Sequence, residues 1–138
     1  MADRDALSSR LDALENYLAE LRSFQSVRRE EFVNEPALHH LAERFLHLAC
    51  ESVLDIAHHV IADRGYRQAK SYKDAMDVLR DEGLIDRELA ERLKGWMGFR
   101  NVLVHLYLDI DHGRSHDAIR EDLGDLERFA VAMSRLLG

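Results

Sequence analysis

Four side chains capable of polar chemistry, Arg100, Asn101, His105 and Tyr107, fall within eight positions of an otherwise aliphatic stretch. An acidic turn, Asp109-Ile110-Asp111-His112-Gly113, follows directly. A guanidinium is a planar fork of donors that fits phosphate, and an imidazole, with an ordinary pKa of about 6.5, exchanges protons near neutrality. Together these residue types outline a small site for handling a phosphodiester. No other stretch of this chain carries comparable chemistry.

Helical spacing sets a condition on that site. At about 100° per residue, Arg100 and His105 lie about 140° apart, whereas Asn101 and His105, four residues apart, share a face. Arg100 and Tyr107 project from nearly the same side of a helix that continues through both. Arg100 and His105 therefore converge on one atom only if the helix loosens between them or if a second copy of the chain supplies part of the site. The competing reading is a core helix in which Arg100 pairs with Asp55 while His105 and Tyr107 merely pack.

The elements that must position these residues are helices. Helix-period apolar spacing runs almost throughout, and no alternating strand pattern is visible. Leu7, Leu11, Leu14, Leu18 and Leu21 define a first helix over about residues 4–24. Asn34 before Glu35-Pro36 reads as an N-cap with proline early in a second helix, which runs to about Asp63 and ends at Gly65. Ser71, with Asp74 three residues on, starts a third helix that ends near Gly83. A fourth begins around Asp86 and carries Leu89, Leu93, Trp96 and Met97 towards the polar cluster. The last follows Ser115 and carries Ile119, Leu123, Leu126, Phe129, Met133 and Leu136. Short connections favour antiparallel neighbours, so the predicted fold is an all-α, up-and-down bundle of about five helices forming one domain over 1–138.

In the second helix, Leu38, Leu41, Phe45 and Leu48 form a seven-residue stripe that Ser52, Asp55 and His59 continue. A neighbouring stripe holds Leu46, Ala49, Val53, Ile56 and Val60. Apolar character on more than one face marks a central helix, and Asp55 and His59 interrupt positions expected to face the core. A buried carboxylate needs a partner, which makes Asp55 and His59 candidate supports for Arg100.

Bulk properties narrow the class. The net charge of −7 has the wrong sign for a protein that coats nucleic acid, so any RNA contact must use a local cationic site. One cysteine, Cys50, excludes an internal disulfide framework and reads as a small core residue in a reducing compartment. Met1-Ala2-Asp3-Arg4-Asp5 lacks the basic-then-apolar order of a signal peptide, and no uncharged apolar run approaches the roughly 18 residues of a membrane span. The expected location is the cytoplasm, without membrane attachment.

Spacing alone offers two metal-ligand patterns. His40, Glu43, His47 and Cys50 recur at three- and four-residue steps, and Asp55-Ile56-Ala57-His58 has the carboxylate-x-x-His spacing of half a di-iron site. That architecture needs a second such motif and further glutamates, which the sequence lacks, so no metal or cofactor is expected. Asp109 and Asp111 read as a turn rather than a nucleotidyltransferase carboxylate pair. Arg28-Arg29-Glu30-Glu31 reads as a solvated charge cluster at a helix boundary; the alternative is that its two arginines help guide RNA.

Arg-x4-His-x-Tyr, with Asn101 after the arginine and Gly98-Phe99 before it, resembles the signature of HEPN-domain proteins of the HepT type. Asp55-Ile56-Ala57-His58-His59-Val60-Ile61, the Ser71-Tyr72-Lys73-Asp74-Ala75 helix start and the Leu79–Leu84 turn extend the resemblance over nearly the whole chain. The resemblance implies a HEPN-like bundle and a metal-independent endoribonuclease, the toxin of a toxin–antitoxin pair. It implies a homodimer with a composite site, an RNA substrate and a nucleotidyltransferase antitoxin as partner. It also implies that Arg100, Asn101 and His105 carry out the cleavage and that Tyr107 is adenylylated to silence it. The alternative is a non-catalytic helical module of the same kind that binds a nucleotide or a partner protein; a metal-binding bundle is a third, weaker class.

Overall fold

The computed structural model describes residues 2–138, with side chains from Arg4 onward; Met1, part of the N-terminal stretch read above, lies outside the described residues. Among these residues the chain forms α1 (Ala2–Arg22), α2 (Arg29–Asn34), α3 (Pro36–Asp63), α4 (Tyr72–Asp81), α5 (Arg87–His105), α6 (His112–Asp117) and α7 (Leu123–Ser134), and no strand. Ala118–Asp122 forms a π-helical turn between α6 and α7, and Tyr107–Asp109 a single 3-10 turn after α5.

Local chemistry accounts for most of the boundaries. The Ser71 hydroxyl accepts from the Asp74 amide and the Asp86 carboxylate from the Leu89 amide, so both caps satisfy donors that a helix start leaves open. Gly65 and Gly83 take φ of 67° and 75°, and the amides beyond them, of Tyr66 and Leu84, turn back to the carbonyls of Ile61 and Leu79. Two expected starts are corrected. Asn34 ends the short helix α2, and Glu35, extended and making no side-chain cap bond, precedes Pro36. Asp111, not Ser115, caps the helix after the motif; Ser115 is buried inside α6.

Cross-helix contacts fix an antiparallel bundle. Lys73 lies against Gly98 and Lys94 bonds Asp77, so α4 and α5 run in opposite directions. Glu51 meets Arg100 while Cys50 meets the Trp96 carbonyl and His40 lies opposite Leu103, which does the same for α3 and α5. Glu88–Arg128 and Arg92–Asp125 pair α5 with α7. The apolar positions of α1, α5 and α7 named from spacing supply much of one continuous core, with Leu14, Leu18, Leu93, Ile119 and Phe129 fully enclosed.

Helix α3 is the central element, but its buried face is rotated from the expected one. Ala42, Leu46, Ala49, Val53, Ile56 and Val60 are buried, whereas Leu41 is 51% exposed and Leu38 and Phe45 only partly covered. The Leu38–Leu41–Phe45 stripe therefore faces outward, and Asp55, on its continuation, is exposed rather than an interruption of the core. By length and composition α3 is apolar enough to cross a membrane, yet half of its most apolar window is buried within the bundle.

The start of α4 is stabilised by charge. Arg67 donates two hydrogen bonds to Asp74, at 2.8 and 3.0 Å, and the Lys70 amide a third. Chiefly through the Arg67 bonds, the Asp74 carboxyl is held down to about 2. A carboxyl whose pKa is lowered by folding contributes stability above its unfolded value and loses it as pH falls through the folded one. Asp74→Asn is expected to lower Tm at neutral pH, and the gap from the wild type should narrow as pH drops from about 4 to about 2. Thermal melts across that range test this; a pH-independent gap would contradict it.

Candidate active site

Arg100 sits on α5 with its side chain only 11% exposed, so its charge must be answered locally. Glu51 of α3 accepts from Nε at 2.5 Å, and Asn101 Oδ1 accepts from Nη1 at 3.2 Å. The ring of Tyr72, the first residue of α4, lies 5.0 Å from the guanidinium carbon, a cation–π distance. Side chains from three helices thus engage Nε, Nη1 and one face of a single guanidinium. Among the described residues Nη2 has no protein partner. Asp55, the partner expected from sequence, instead pairs with Arg10 at 3.1 Å and is 57% exposed. The signal for Glu51 was its place four residues before Asp55, one turn nearer the level of Arg100 on an antiparallel neighbour.

His105 is the last residue of α5, and the helix runs unbroken from Arg100 to it. The loosened-helix arrangement is therefore excluded within one chain, and the two side chains diverge by about 140°. His105 and Asn101 are both exposed and share a face. After His105 the chain leaves the helix: the Leu106 amide still bonds the Val102 carbonyl, and Tyr107 opens the 3-10 turn. Tyr107 consequently does not continue the face of Arg100. It is 67% exposed, between the exposed Leu106 and Leu108.

Tyr107 instead borders a cleft of about 290 Å³ whose opposite wall is α3, with His40, Arg44 and His47. Leu103, Ile110 and His112 complete its near side. The Arg44 guanidinium donates to His47 Nδ1 at 3.2 Å, and His47 Nε2 stands 3.5 Å from the Glu51 carboxylate that holds Arg100.

Such a bundle, with an arginine clamped at mid-helix and a histidine and tyrosine at the helix end, has relatives. A profile of the ribonuclease HepT-like family matches residues 14–133. The chain belongs to this family. A tRNA nuclease HepT of Aphanizomenon flos-aquae is 29% identical over 115 residues, 82% of this chain and 77% of that protein. YutE of Bacillus subtilis is 31% identical over 127 residues, 92% of this chain and 84% of that protein. The solved YutE structure superposes with a TM-score of 0.82 over 98% of this chain and 90% of that one. The fold is also that of a tri-AMPylated Shewanella oneidensis HEPN toxin in complex with an MNT antitoxin, at a TM-score of 0.87 and 21% identity over 95% of this chain and 98% of that one.

Within this HepT-like chain, sequence reasoning missed the device that holds the Tyr107 segment. Glu43, buried on α3, accepts from His112 Nδ1 at 2.7 Å and from the Ser115 hydroxyl at 2.8 Å, which ties α6 to α3. The His39 ring stacks on His112 with centroids 3.6 Å apart, and His39 Nδ1 donates to the Phe32 carbonyl. His116 bonds the Val27 carbonyl and packs on Phe32. The spacing that placed His40, Glu43, His47 and Cys50 together as ligands is thus resolved otherwise. Glu43 serves α6, and Cys50 donates to the Trp96 carbonyl, its thiol pushed up to about 12 by burial. Among the described residues no three His, Cys, Asp or Glu groups converge as a metal site. Among the described residues His59 Nε2 is buried without a hydrogen-bond partner, and Arg29, the alternative guide for RNA, is paired with Asp117.

Glu51→Gln removes the charge that answers Arg100. The expected outcome is an Arg100 Nε–H that exchanges slowly with water in the wild type and rapidly in the variant, read from arginine side-chain nitrogen–proton spectra. An unchanged exchange rate would contradict the clamp.

Proposed function

We propose that this chain is a metal-independent endoribonuclease, the toxin of a toxin–antitoxin pair, acting as a homodimer whose active sites each combine Arg100 of one subunit with His105 of the other. The observation that carries this reading is the divergence of Arg100 and His105 along an unbroken helix, one turned inward against Glu51 and the other exposed. Exposed Leu106 and Leu108 beside His105, and Leu41 on α3, offer the apolar surface a second copy needs. The names of relatives favour RNA as substrate: one is a tRNA nuclease and another, from Shewanella oneidensis, an mRNA nuclease, 30% identical over 84 residues.

RNA carries its own nucleophile. The 2′-hydroxyl attacks the adjacent phosphorus, the P–O5′ bond breaks, and a 2′,3′-cyclic phosphate and a free 5′-hydroxyl result. His105 takes the 2′-proton or delivers one to the leaving 5′-oxygen. Arg100, with Nη2 open, binds the phosphate oxygens and stabilises the charge gathering on them in the transition state. Asn101, bonded to Arg100 and one turn from His105, orients the substrate or the imidazole. Asp55 and His59 are given no part in this chemistry, since Asp55 is committed to Arg10. No cofactor or metal enters the scheme.

Regulation follows from the position of Tyr107. A nucleotidyltransferase antitoxin transfers adenylate to its hydroxyl, and the added phosphate faces the cleft lined by His40, Arg44 and His47. A tri-AMPylated, antitoxin-bound toxin of the same fold supports this part of the reading. We assign the whole of 1–138 to one domain and the protein to the cytoplasm, the location given for YutE.

The test uses purified chain and RNA in EDTA. Cleavage should persist under chelation and fall by about 10² or more in His105→Ala, the range for loss of a general acid or base. Full activity in that variant would remove His105 from the chemistry. RNA binding without cleavage in the wild type would favour the non-catalytic module. Co-expression with a cognate nucleotidyltransferase antitoxin should add adenylate mass to the wild type but not to Tyr107→Phe.

A further inference from the structure

Several arginines of this acidic chain are answered by carboxylates: Arg10, Arg29, Arg67, Arg92 and Arg128 each lie within salt-bridge distance of an Asp or Glu. Arg44 is one that is not. It is exposed on α3 at the mouth of the Tyr107 cleft, and among the described residues its guanidinium has no carboxylate partner. Among the described residues its one side-chain hydrogen bond is to His47 Nδ1, at 3.2 Å. Because Nδ1 accepts this bond, the ring proton sits on Nε2, which faces Glu51 at 3.5 Å; Glu51 in turn holds Arg100 Nε. Two guanidinium groups thus stand at the ends of one row of neighbouring side chains, Arg44, His47, Glu51 and Arg100.

The carboxylates near this chain are already engaged. Glu51 is taken by Arg100, and Glu43, the acid lining the cleft, is buried and answered by His112 and Ser115. What remains facing outward is Arg44 with the His40 and His47 rings, across the cleft from the Tyr107 ring. Residues 44 and 51 lie about 10 Å apart along α3, a span a short run of nucleotides covers. A positive group at the mouth of a cleft focuses its field on an anion even in a chain of net charge −7. An exposed aromatic ring beside a cation is the pairing that single-stranded RNA uses, phosphate on the cation and base on the ring.

We propose that Arg44, held by His47 and flanked by His40, is a second phosphate subsite that grips the RNA backbone next to the linkage held by Arg100. The subsite rests on the nuclease reading above and extends it from the scissile phosphate to its neighbour. Arg44 is a binding residue here and takes no part in bond breaking. His47 positions it and, through Glu51, sets its distance from Arg100.

The experiment measures binding of a single-stranded RNA made non-cleavable by 2′-O-methylation, across a salt series, for the full-length wild type, Arg44→Gln and Arg44→Lys. Loss of one phosphate contact is expected to weaken binding about tenfold and to flatten the plot of log affinity against log salt by about 0.7 per subunit. Arg44→Lys should keep the wild-type slope. Melting temperature is followed in parallel, so that a folding defect is recognised; if Arg44→Gln fails to fold, the Arg44→Ala and Arg44→Lys pair gives the same comparison. A variant that binds with wild-type affinity and slope, while the wild type cleaves ordinary RNA, overturns the subsite and leaves the nuclease standing. Weaker binding with an unchanged slope also overturns it, since Arg44 would then act only through His47. A wild type that neither binds nor cleaves RNA removes both.

Discussion

The organisation of this molecule depends on how a nearly buried guanidinium is neutralised. Arg100 is withdrawn from water on α5, and such a charge is tolerated only where a partner of opposite charge lies close. Glu51 supplies the charge, Asn101 an acceptor and Tyr72 an aromatic face, from three different helices. Each contact constrains the packing of α3, α4 and α5 around this point. The start of α4 is held by Ser71 and by the Arg67–Asp74 pair, so Tyr72 is presented by a well-anchored turn. The same clamp turns Arg100 towards α3 and away from the face of His105. In the proposed scheme, the unbroken helix between them leaves it to a second subunit to bring an arginine and a histidine together.

A second polar device governs the segment beyond the helix. Burying Glu43 on α3 is offset by two donors from α6, His112 and Ser115, with His39 stacked over the imidazole. This fixes α6 against α3 and leaves residues 106–111 to bridge the gap. Tyr107 is therefore carried out of the helix and set beside the cleft in which Arg44 stands. In the proposed scheme, a modification of Tyr107 acts at the neighbouring phosphate subsite as well as on access to the scissile one. In that scheme the clamp positions the chemistry, and the Glu43 anchor positions its control.

Much of this was legible in the sequence because it is local. Leucine spacing in α1, the Ser71 and Asp86 caps, and Gly65 and Gly83 after their helices are decided by backbone chemistry within a few residues, and the motif residues were named with them. What could not be read was rotational phase and long-range pairing. Two apolar stripes on α3 compete for the core, and only packing against α1, α4 and α5 chooses the one through Leu46 and Val53. That choice turns Asp55 outward to Arg10 and leaves Glu51 to Arg100. The short α2 and the burial of Ser115 depend on contacts with α6 and α3 that no local pattern encodes. The π-helical turn at Ala118–Asp122 has no signature in the residues that form it.

The central claim is that each site draws its arginine and its histidine from different subunits, and subunit mixing tests it directly. Arg100→Ala and His105→Ala homodimers are each inactive by this account. A mixed dimer of the two carries one site with both residues intact, so random exchange of equal amounts should restore up to about a quarter of wild-type RNA cleavage. If mixed dimers form and no activity returns, Arg100 and His105 do not meet across the interface and the account is wrong.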